Sequence, residues 1–221
     1  MKTDMSAQLK FPTGLYGVSP QWDDASRLED AVRAAARGGM RALQLRHKTA
    51  DAALRLKLAS RMREVCTELN IIFLINDDWR LAKEIGADGV HLGRDDDAPA
   101  FVREQIGADM LIGVSCYADP VRAQSFIASN VTYIAFGAMF ASQTKPLAPP
   151  APLSVLKTGR EICLHQSHPR PAVVAIGGID VSNAHQIFKA GADSIAVVGG
   201  LFLAHDIEST ARALSNSFSI N

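Results

Sequence analysis

Cysteine, an excess of charge of one sign and long apolar runs are all scarce in this sequence of 221 residues. The three cysteines are an odd number without CxxC spacing, which argues against a disulfide framework or a structural zinc site and favours a reducing, cytoplasmic setting. Basic and acidic residues balance at 23 each, which disfavours a nucleic-acid binder. The longest apolar run, residues 71–75, is too short to span a bilayer, and the N-terminal residues lack the apolar stretch of a signal peptide, so we expect no membrane association.

Eight short apolar runs recur along the chain, about one in every 27 residues. They are residues 15–18, 42–45, 71–75, 89–92, 111–114, 133–136, 172–176 and 194–198. Because they are continuous rather than alternating, they predict parallel strands that are covered on both faces. Between them, apolar residues recur every three or four positions, which predicts helices.

Eight strand–helix units of similar length predict an α/β protein, a (β/α)8 TIM barrel with one catalytic domain over residues 11–221. Residues 1–10 are expected to form an N-terminal tail. A doubly wound open sheet is the rival fold.

In a barrel of this kind the active site lies where the strands end, so the residues that follow each strand are the candidates. Gln44, Arg46 and Lys48 alternate at the end of the second predicted strand and therefore share one side of the chain. Two cations and an amide suit a diphosphate, although ordinary surface cations at a strand end would give the same pattern.

Carboxylates follow the third and fourth predicted strands, with Asp77 and Asp78 after one and Asp96 and Asp97 after the other. Neighbouring strand ends can share a Mg²⁺ ion, which commonly takes one or two carboxylates. Aspartate also caps helices, and Asp78 and Asp97 are placed to do so, which leaves Asp77 and Asp96 for the metal. Spacing alone leaves metal binding and capping both open.

The fifth and sixth predicted strands are followed by hydroxyl groups. Ser115 suits a hydrogen bond to a ligand, or a cap on the next helix, whereas Cys116 is expected to be a small apolar residue and His91 a structural one. A proline-rich segment, residues 142–152, excludes a helix or a central strand and predicts a long loop that serves as a lid. Its polar residues suit a second phosphate, or merely a polar surface: Ser142, Thr144 and Lys145.

Glycine pairs follow the seventh and eighth predicted strands, at positions 177–178 and 199–200. Backbone N–H groups beside a helix start bind phosphate, and this fold favours that position for a phosphate. The sequence therefore offers cations, carboxylates and a phosphate cradle but no evident nucleophile or acid–base pair. That set suits a reaction in which diphosphate leaves and a second phosphorylated substrate enters.

Seven ordered motifs carry a resemblance to a known family: QLRHK, INDD, GVHLGRDD, IGVS, SQTK, AIGGI and GADSIAVVGG. In this order and at these strand ends they resemble thiamine phosphate synthase, from about residue 15 to the last predicted helix. The resemblance implies a Mg²⁺-dependent transferase that joins hydroxymethylpyrimidine diphosphate to hydroxyethylthiazole phosphate, or to its carboxylated precursor, by a dissociative mechanism. No protein nucleophile is needed, which agrees with the residues present.

The resemblance also implies a role for each matching residue. Gln44, Arg46 and Lys48 bind the pyrimidine diphosphate, and Asn76 and Ser115 contact the pyrimidine. The other implied roles are Mg²⁺ binding by Asp77 and Asp96, thiazole phosphate and departing diphosphate binding by Ser142, Thr144 and Lys145, and thiazole phosphate binding by Gly178, Val198 and Gly199. Of all these, the catalytic ones would be Arg46, Lys48, Ser115 and Lys145.

Three positions depart from the pattern of the family. His47 stands where the family usually has Glu, Ser142 replaces Thr, and Gly199 replaces Ser but still offers its N–H. By alternation, His47 should point away from the cations on either side of it.

Two other functions remain in view. A related thiazole tautomerase would share the phosphate cradle without the diphosphate and metal residues, and a regulatory barrel would bind a phosphorylated ligand without turnover. The sequence leaves the oligomeric state open, a homo-oligomer included.

Overall fold

A computed structural model describes residues 9–141 and 150–218, over which the chain forms eight β-strands and nine helices. The strands are β1 (Gly14–Val18), β2 (Ala42–Leu45), β3 (Ile72–Asn76), β4 (Gly89–Leu92), β5 (Leu111–Tyr117), β6 (Tyr133–Phe136), β7 (Ala172–Ile176) and β8 (Ser194–Val197). The helices are α1 (Ala25–Arg37), α2 (Ala52–Glu68), α3 (Trp79–Glu84), α4 (Pro99–Ile106), α5 (Pro120–Ile127), α6 (Ser154–Leu164), α7 (Ala184–Lys189), α8 (Gly199–Phe202) and α9 (Ile207–Asn216). One helix follows each strand except β8, which is followed by two.

The strands form a closed parallel barrel in sequence order, with β8 paired to β1. Tyr16 lies opposite Ala42 on one side and Ala196 on the other, so neither edge of β1 is open. This closure confirms the predicted (β/α)8 barrel and excludes the open doubly wound sheet.

The strands are apolar along their whole length because each strand packs against an apolar layer on both of its faces. Outward residues such as Leu43 and Val173 pack with the helices in the larger core. Inward residues such as Ala42 and Val174 fill the barrel together with Phe11 and the aromatic rings of its neighbours. Successive side chains therefore alternate between the two layers, but because both layers are apolar the sequence shows no alternation of apolar and polar residues.

Aspartate side chains begin several of the helices, as expected of a residue that accepts the unpaired N–H groups of the first turn. Asp78 caps α3 by accepting the N–H of Leu81, which confirms that prediction. The predicted cap at Asp97 is wrong. Pro99 occupies the first turn of α4, which makes Ala98 the cap residue, and Asp97 instead accepts the indole N–H of Trp79 at 2.7 Å.

The amino end of the barrel is tied together by charged and backbone groups. Leu9 forms an isolated parallel bridge with Arg170, and the N–H of Lys10 donates to the Arg170 carbonyl at 3.0 Å. The guanidinium of Arg170 pairs twice with the buried Asp193 carboxylate. The domain boundary between residues 10 and 11 stays a prediction.

The three cysteines, Cys66, Cys116 and Cys163, are free and buried. Burial raises the pKa of each thiol to about 12, so Cys116 behaves as the apolar residue that was predicted. Among the helices of the described ranges, none has both the length and the apolar character that crossing a membrane requires.

Candidate active site

A cavity of about 730 Å³ opens at the carboxyl ends of the strands. All the predicted site residues within the described ranges line it: Gln44, Arg46, Lys48, Asn76, Asp77, Asp96, Ser115, Gly178, Val198 and Gly199. Ser142, Thr144 and Lys145 lie outside the described residues. The sequence-based candidates from β2, β3, β4, β5, β7 and β8 therefore meet in one place.

The cationic side of the cavity is formed by the end of β2. Gln44, Arg46 and Lys48 line the cavity, and His47 does not. His47 lines a neighbouring cavity of about 190 Å³, which Lys48 also reaches. This confirms the predicted alternation. Two positive charges and an amide are thus presented side by side to any anionic ligand.

The segment that follows β1 holds the β2 end in place. Ser19, which is 1% exposed, accepts the N–H of Arg46 on its hydroxyl at 2.8 Å, and its own N–H donates to the Gln44 carbonyl at 2.9 Å. Gln21 accepts the N–H of Lys48 on its side-chain oxygen at 3.0 Å. These contacts fix the backbone from which both cations project.

His47 completes this attachment. Its Nδ1 accepts the N–H of Ala50 at 3.1 Å, so Nε2 carries the hydrogen of the neutral ring and donates to the Asp23 carboxylate at 2.7 Å. The histidine therefore links the loops that follow β1 and β2. Nothing in the sequence pattern signals the contributions of Ser19, Gln21 and Asp23.

The carboxylates of Asp77 and Asp96 lie together beside Gly93. A Cβ built on Gly93 would lie 3.1 Å from Asp96 Oδ2 and 3.9 Å from Asp77 Oδ1. Asp96 accepts the Gly93 N–H at 2.6 Å, and Asp77 pairs with the Lys48 ammonium at 3.0 Å. Burial raises the pKa of the Asp96 carboxyl, and its contact with Asp77 raises it further. A divalent cation bound by both carboxylates would relieve the repulsion between them.

The residue types at this position set a limit on the metal site. Over residues 9–141 and 150–218, His, Cys, Asp and Glu nowhere form a group of three or more suited to a metal ion. A cation held by Asp77 and Asp96 would therefore take its other ligands from water and substrate, as Mg²⁺ commonly does.

The glycine side of the cavity lies at the ends of β7 and β8. Gly178 has a φ of +63°, and a Cβ there would overlap the backbone of Phe140 and the carbonyl of Ala141. By contrast, a Cβ on Gly199 would meet nothing closer than Leu203 at 3.5 Å. Val198 is the N-cap of α8, whose first turn keeps N–H groups that no carbonyl of that helix accepts.

A buried polar chain, which sequence reasoning missed, runs beneath the cavity, and three of its members, Gln44, His91 and Ser115, line the cavity. It consists of Gln44, Tyr16, Tyr133, His91 and Ser115, each hydrogen-bonded to the next. Ser115 lies within β5 and does not cap a helix, because Asp119 caps α5. His91 is structural, as predicted, but it also lines the cavity.

Comparisons with known proteins identify relatives of this chain. The sequence model of the family described as thiamine monophosphate synthase matches residues 15–201. A thiamine-phosphate synthase of Bordetella pertussis is 56% identical over 213 residues, which cover 96% of this chain and 98% of that protein. One from Chromobacterium violaceum is 46% identical over 205 residues, with 93% and 96% covered. The solved thiamine phosphate pyrophosphorylase of Pyrococcus furiosus superposes with a TM-score of 0.79 at 27% identity and covers 98% of each chain.

Proposed function

The chain belongs to the thiamine monophosphate synthase family, and on that premise we propose how its cavity carries out the reaction. The protein is a transferase of thiamine biosynthesis. It joins 4-amino-2-methyl-5-hydroxymethylpyrimidine diphosphate to 4-methyl-5-(2-hydroxyethyl)thiazole phosphate, giving thiamine phosphate and diphosphate. The convergence of the predicted residues on one cavity supports placing that reaction there.

The diphosphate of the pyrimidine substrate is assigned to the end of β2. Arg46 presents a planar fork and Lys48 a point charge, with Gln44 beneath them. As the bond between the methylene carbon and the diphosphate oxygen breaks, the electron pair leaves with the oxygen, and fixed cations stabilise that charge. Meanwhile the ring amino group donates electrons to the carbon, so the pyrimidine becomes a stabilised cation.

The second half of the reaction forms one bond. The lone pair of the thiazole nitrogen attacks the methylene carbon of the pyrimidine cation, so no protein nucleophile is required. Positioning is the remaining task, because holding two reactants in the correct geometry removes much of the entropic barrier. Ser115 and Asn76 would hold the pyrimidine, both of them in the cavity wall.

Asp77 and Asp96 are assigned as ligands of Mg²⁺. They fit this ion because two carboxylates are held together beside Gly93, partly buried and mutually repelling, at the edge of the substrate cavity. When bound, the cation would stabilise the negative charge of the leaving diphosphate. Lys48, which is assigned to the diphosphate, pairs with Asp77 at 3.0 Å, so the proposed diphosphate and metal sites adjoin.

The phosphate of the thiazole is assigned to the glycine side of the cavity. Gly178, Val198 and Gly199 line this side, and the two glycines leave their backbone groups free of any side chain. The proposed roles of Ser142, Thr144 and Lys145 in binding this phosphate and the departing diphosphate rest on the family resemblance.

A cytoplasmic location is the proposal that the three free, buried thiols support, since cysteines stay reduced in that compartment. A homo-oligomer stays a prediction, which sedimentation of the purified protein tests.

The metal assignment is tested with Mn²⁺, which shares the oxygen ligands of Mg²⁺ and is observed directly by electron paramagnetic resonance. In the presence of the pyrimidine diphosphate, Asp77→Asn and Asp96→Asn should weaken Mn²⁺ binding at least tenfold. Asp206→Asn is the matched control, because it removes one charge from an exposed cap of α9 and keeps a capping side chain. Equal Mn²⁺ affinity in all three variants would contradict the assignment.

A further inference from the structure

The buried polar chain is continuous beneath the cavity, from Gln44 on one side to Ser115 on the other. The Gln44 amide donates to the Tyr16 hydroxyl at 2.5 Å, and the Tyr16 and Tyr133 hydroxyls are 2.9 Å apart. Tyr133 lies 2.8 Å from His91 Nδ1, and His91 Nε2 lies 2.8 Å from the Ser115 hydroxyl. Four hydrogen bonds thus connect β2, β1, β6, β4 and β5 across the barrel.

The sequence makes room for this chain. A Cβ on Gly113 would overlap the Tyr133 ring and its hydroxyl, so only glycine lets the phenol pass beneath β5 to reach His91. The rings of His91 and Tyr133 stack at 5.7 Å with an angle of 17° between their planes. Burial raises the pKa of both Tyr16 and Tyr133, so both phenols keep their hydrogens at neutral pH.

The hydrogen positions along the chain determine one another, because each phenol has a single hydrogen to donate. A Tyr16 hydrogen buried without an acceptor would be costly, so with the Gln44 amide donating to Tyr16 the arrangement that pairs every hydrogen sends the Tyr16 hydrogen to the Tyr133 oxygen and the Tyr133 hydrogen to His91 Nδ1. In that arrangement His91 carries its hydrogen on Nε2, where it donates to the Ser115 oxygen. The Ser115 hydrogen is left to point into the cavity.

We propose that the buried polar chain makes Ser115 a hydrogen-bond donor to the substrate, and that the site thereby selects a ring that carries an acceptor nitrogen. His91 is the positioning residue: it acts through Ser115 and sets the direction of its hydroxyl. The inference rests on the proposed function in one respect, that Ser115 contacts the pyrimidine. A ring with C–H at the corresponding position would leave the Ser115 donor unpaired, which lowers affinity about ten- to a hundredfold.

The direction of the chain is tested without any substrate. In protein labelled with ¹⁵N at histidine, the ring nitrogens of His91 are assigned by the signal that disappears in His91→Gln. The proposal expects the neutral ring with hydrogen on Nε2. Hydrogen on Nδ1, or on both nitrogens at neutral pH, would overturn it.

The selectivity is tested by calorimetric binding of the pyrimidine diphosphate and of two analogues, each with one ring nitrogen replaced by C–H. The wild-type protein should bind one analogue about ten- to a hundredfold more weakly than the pyrimidine. His91→Phe should lose that discrimination by weakening only the pyrimidine. His91→Gln should retain it, since its amide donates from about where the imidazole Nε2 lies.

Two further variants make the test decisive. His185→Gln, an exposed histidine of α7, is the control and should match the wild type. If His91→Phe does not fold, Ser115→Ala takes its place in the test. Ser115→Ala removes only the hydroxyl at the end of the buried polar chain, and this variant should lose the same discrimination. If His91→Phe, or Ser115→Ala in its place, weakened the binding of all three ligands equally, the role of the residue would be merely structural and the proposal would be overturned. A wild-type protein that binds none of them refutes the proposed function, whereas the direction measured by ¹⁵N stands or falls by itself.

Discussion

The attachment of the β2 end through Ser19 leads to a quantitative prediction. Ser19→Ala removes the hydroxyl that accepts the Arg46 N–H at 2.8 Å in a place that is 1% exposed to solvent. Leaving a buried N–H group unpaired costs about 1–3 kcal/mol. If that cost falls on the position of the Arg46 guanidinium, binding of the pyrimidine diphosphate weakens by about 5- to 140-fold, since 1.4 kcal/mol is tenfold.

Steady-state kinetics with each substrate varied in turn measure this effect. The KM for the pyrimidine diphosphate should rise. The KM for the thiazole phosphate should stay within about twofold, because a substitution away from a binding site usually changes the free energy of binding there by about 0.5 kcal/mol or less. Ser194→Ala is the matched control. Ser194 is equally buried and donates to the Pro12 carbonyl, but it begins β8 at the opposite end of the barrel. A parallel rise of both KM values in Ser19→Ala, or the same kinetic change in Ser194→Ala, would refute the reasoning.

Three other predictions follow from the structure. His47→Glu, which restores the usual family residue, places a second carboxylate beside Asp23 and should raise the KM for the pyrimidine diphosphate about fivefold, and Asp23→Asn in the same protein should reverse it, as kinetics will show. Asp193→Ala leaves the buried Arg170 guanidinium without its carboxylate, so the free energy of unfolding, measured by urea denaturation, should fall by about 3–5 kcal/mol. The kcat at 20 °C should be unchanged, because this pair lies at the end of the barrel opposite the cavity. Gly178→Val should raise the KM for the thiazole phosphate most, whereas Gly199→Ser should leave it within about twofold, since only the first collides with backbone.

Most of the fold could be predicted because local pattern and global structure agree. The runs at residues 42–45, 89–92, 133–136 and 172–176 coincide with β2, β4, β6 and β7. The fifth strand was predicted to end at Val114 but continues to Tyr117, with a bulge between Ser115 and Tyr117 that shifts its register against β6. A bulge leaves no signal in an apolar pattern, since its polar residue looks like the end of a strand.

The candidate site also contains residues that the sequence predicted and residues that it did not. Each residue predicted for the site from its position after a strand lines the cavity where the structure describes it. The residues that hold them were missed, because their partners are remote in the chain: Ser19 bonds a residue 27 positions away, and Tyr16 bonds Tyr133 across 117 positions. Such pairs have no spacing that a sequence pattern could reveal.

The central claim is that this cavity joins the two substrates with the help of Mg²⁺. It is tested most directly by mixing the purified protein with both substrates, oxidising the product and reading the fluorescence of the thiochrome that forms. The account predicts fluorescence that requires both substrates and Mg²⁺ and that disappears when a chelator is added in excess. A folded protein that binds the thiazole phosphate but gives no fluorescence with Mg²⁺ present would contradict it.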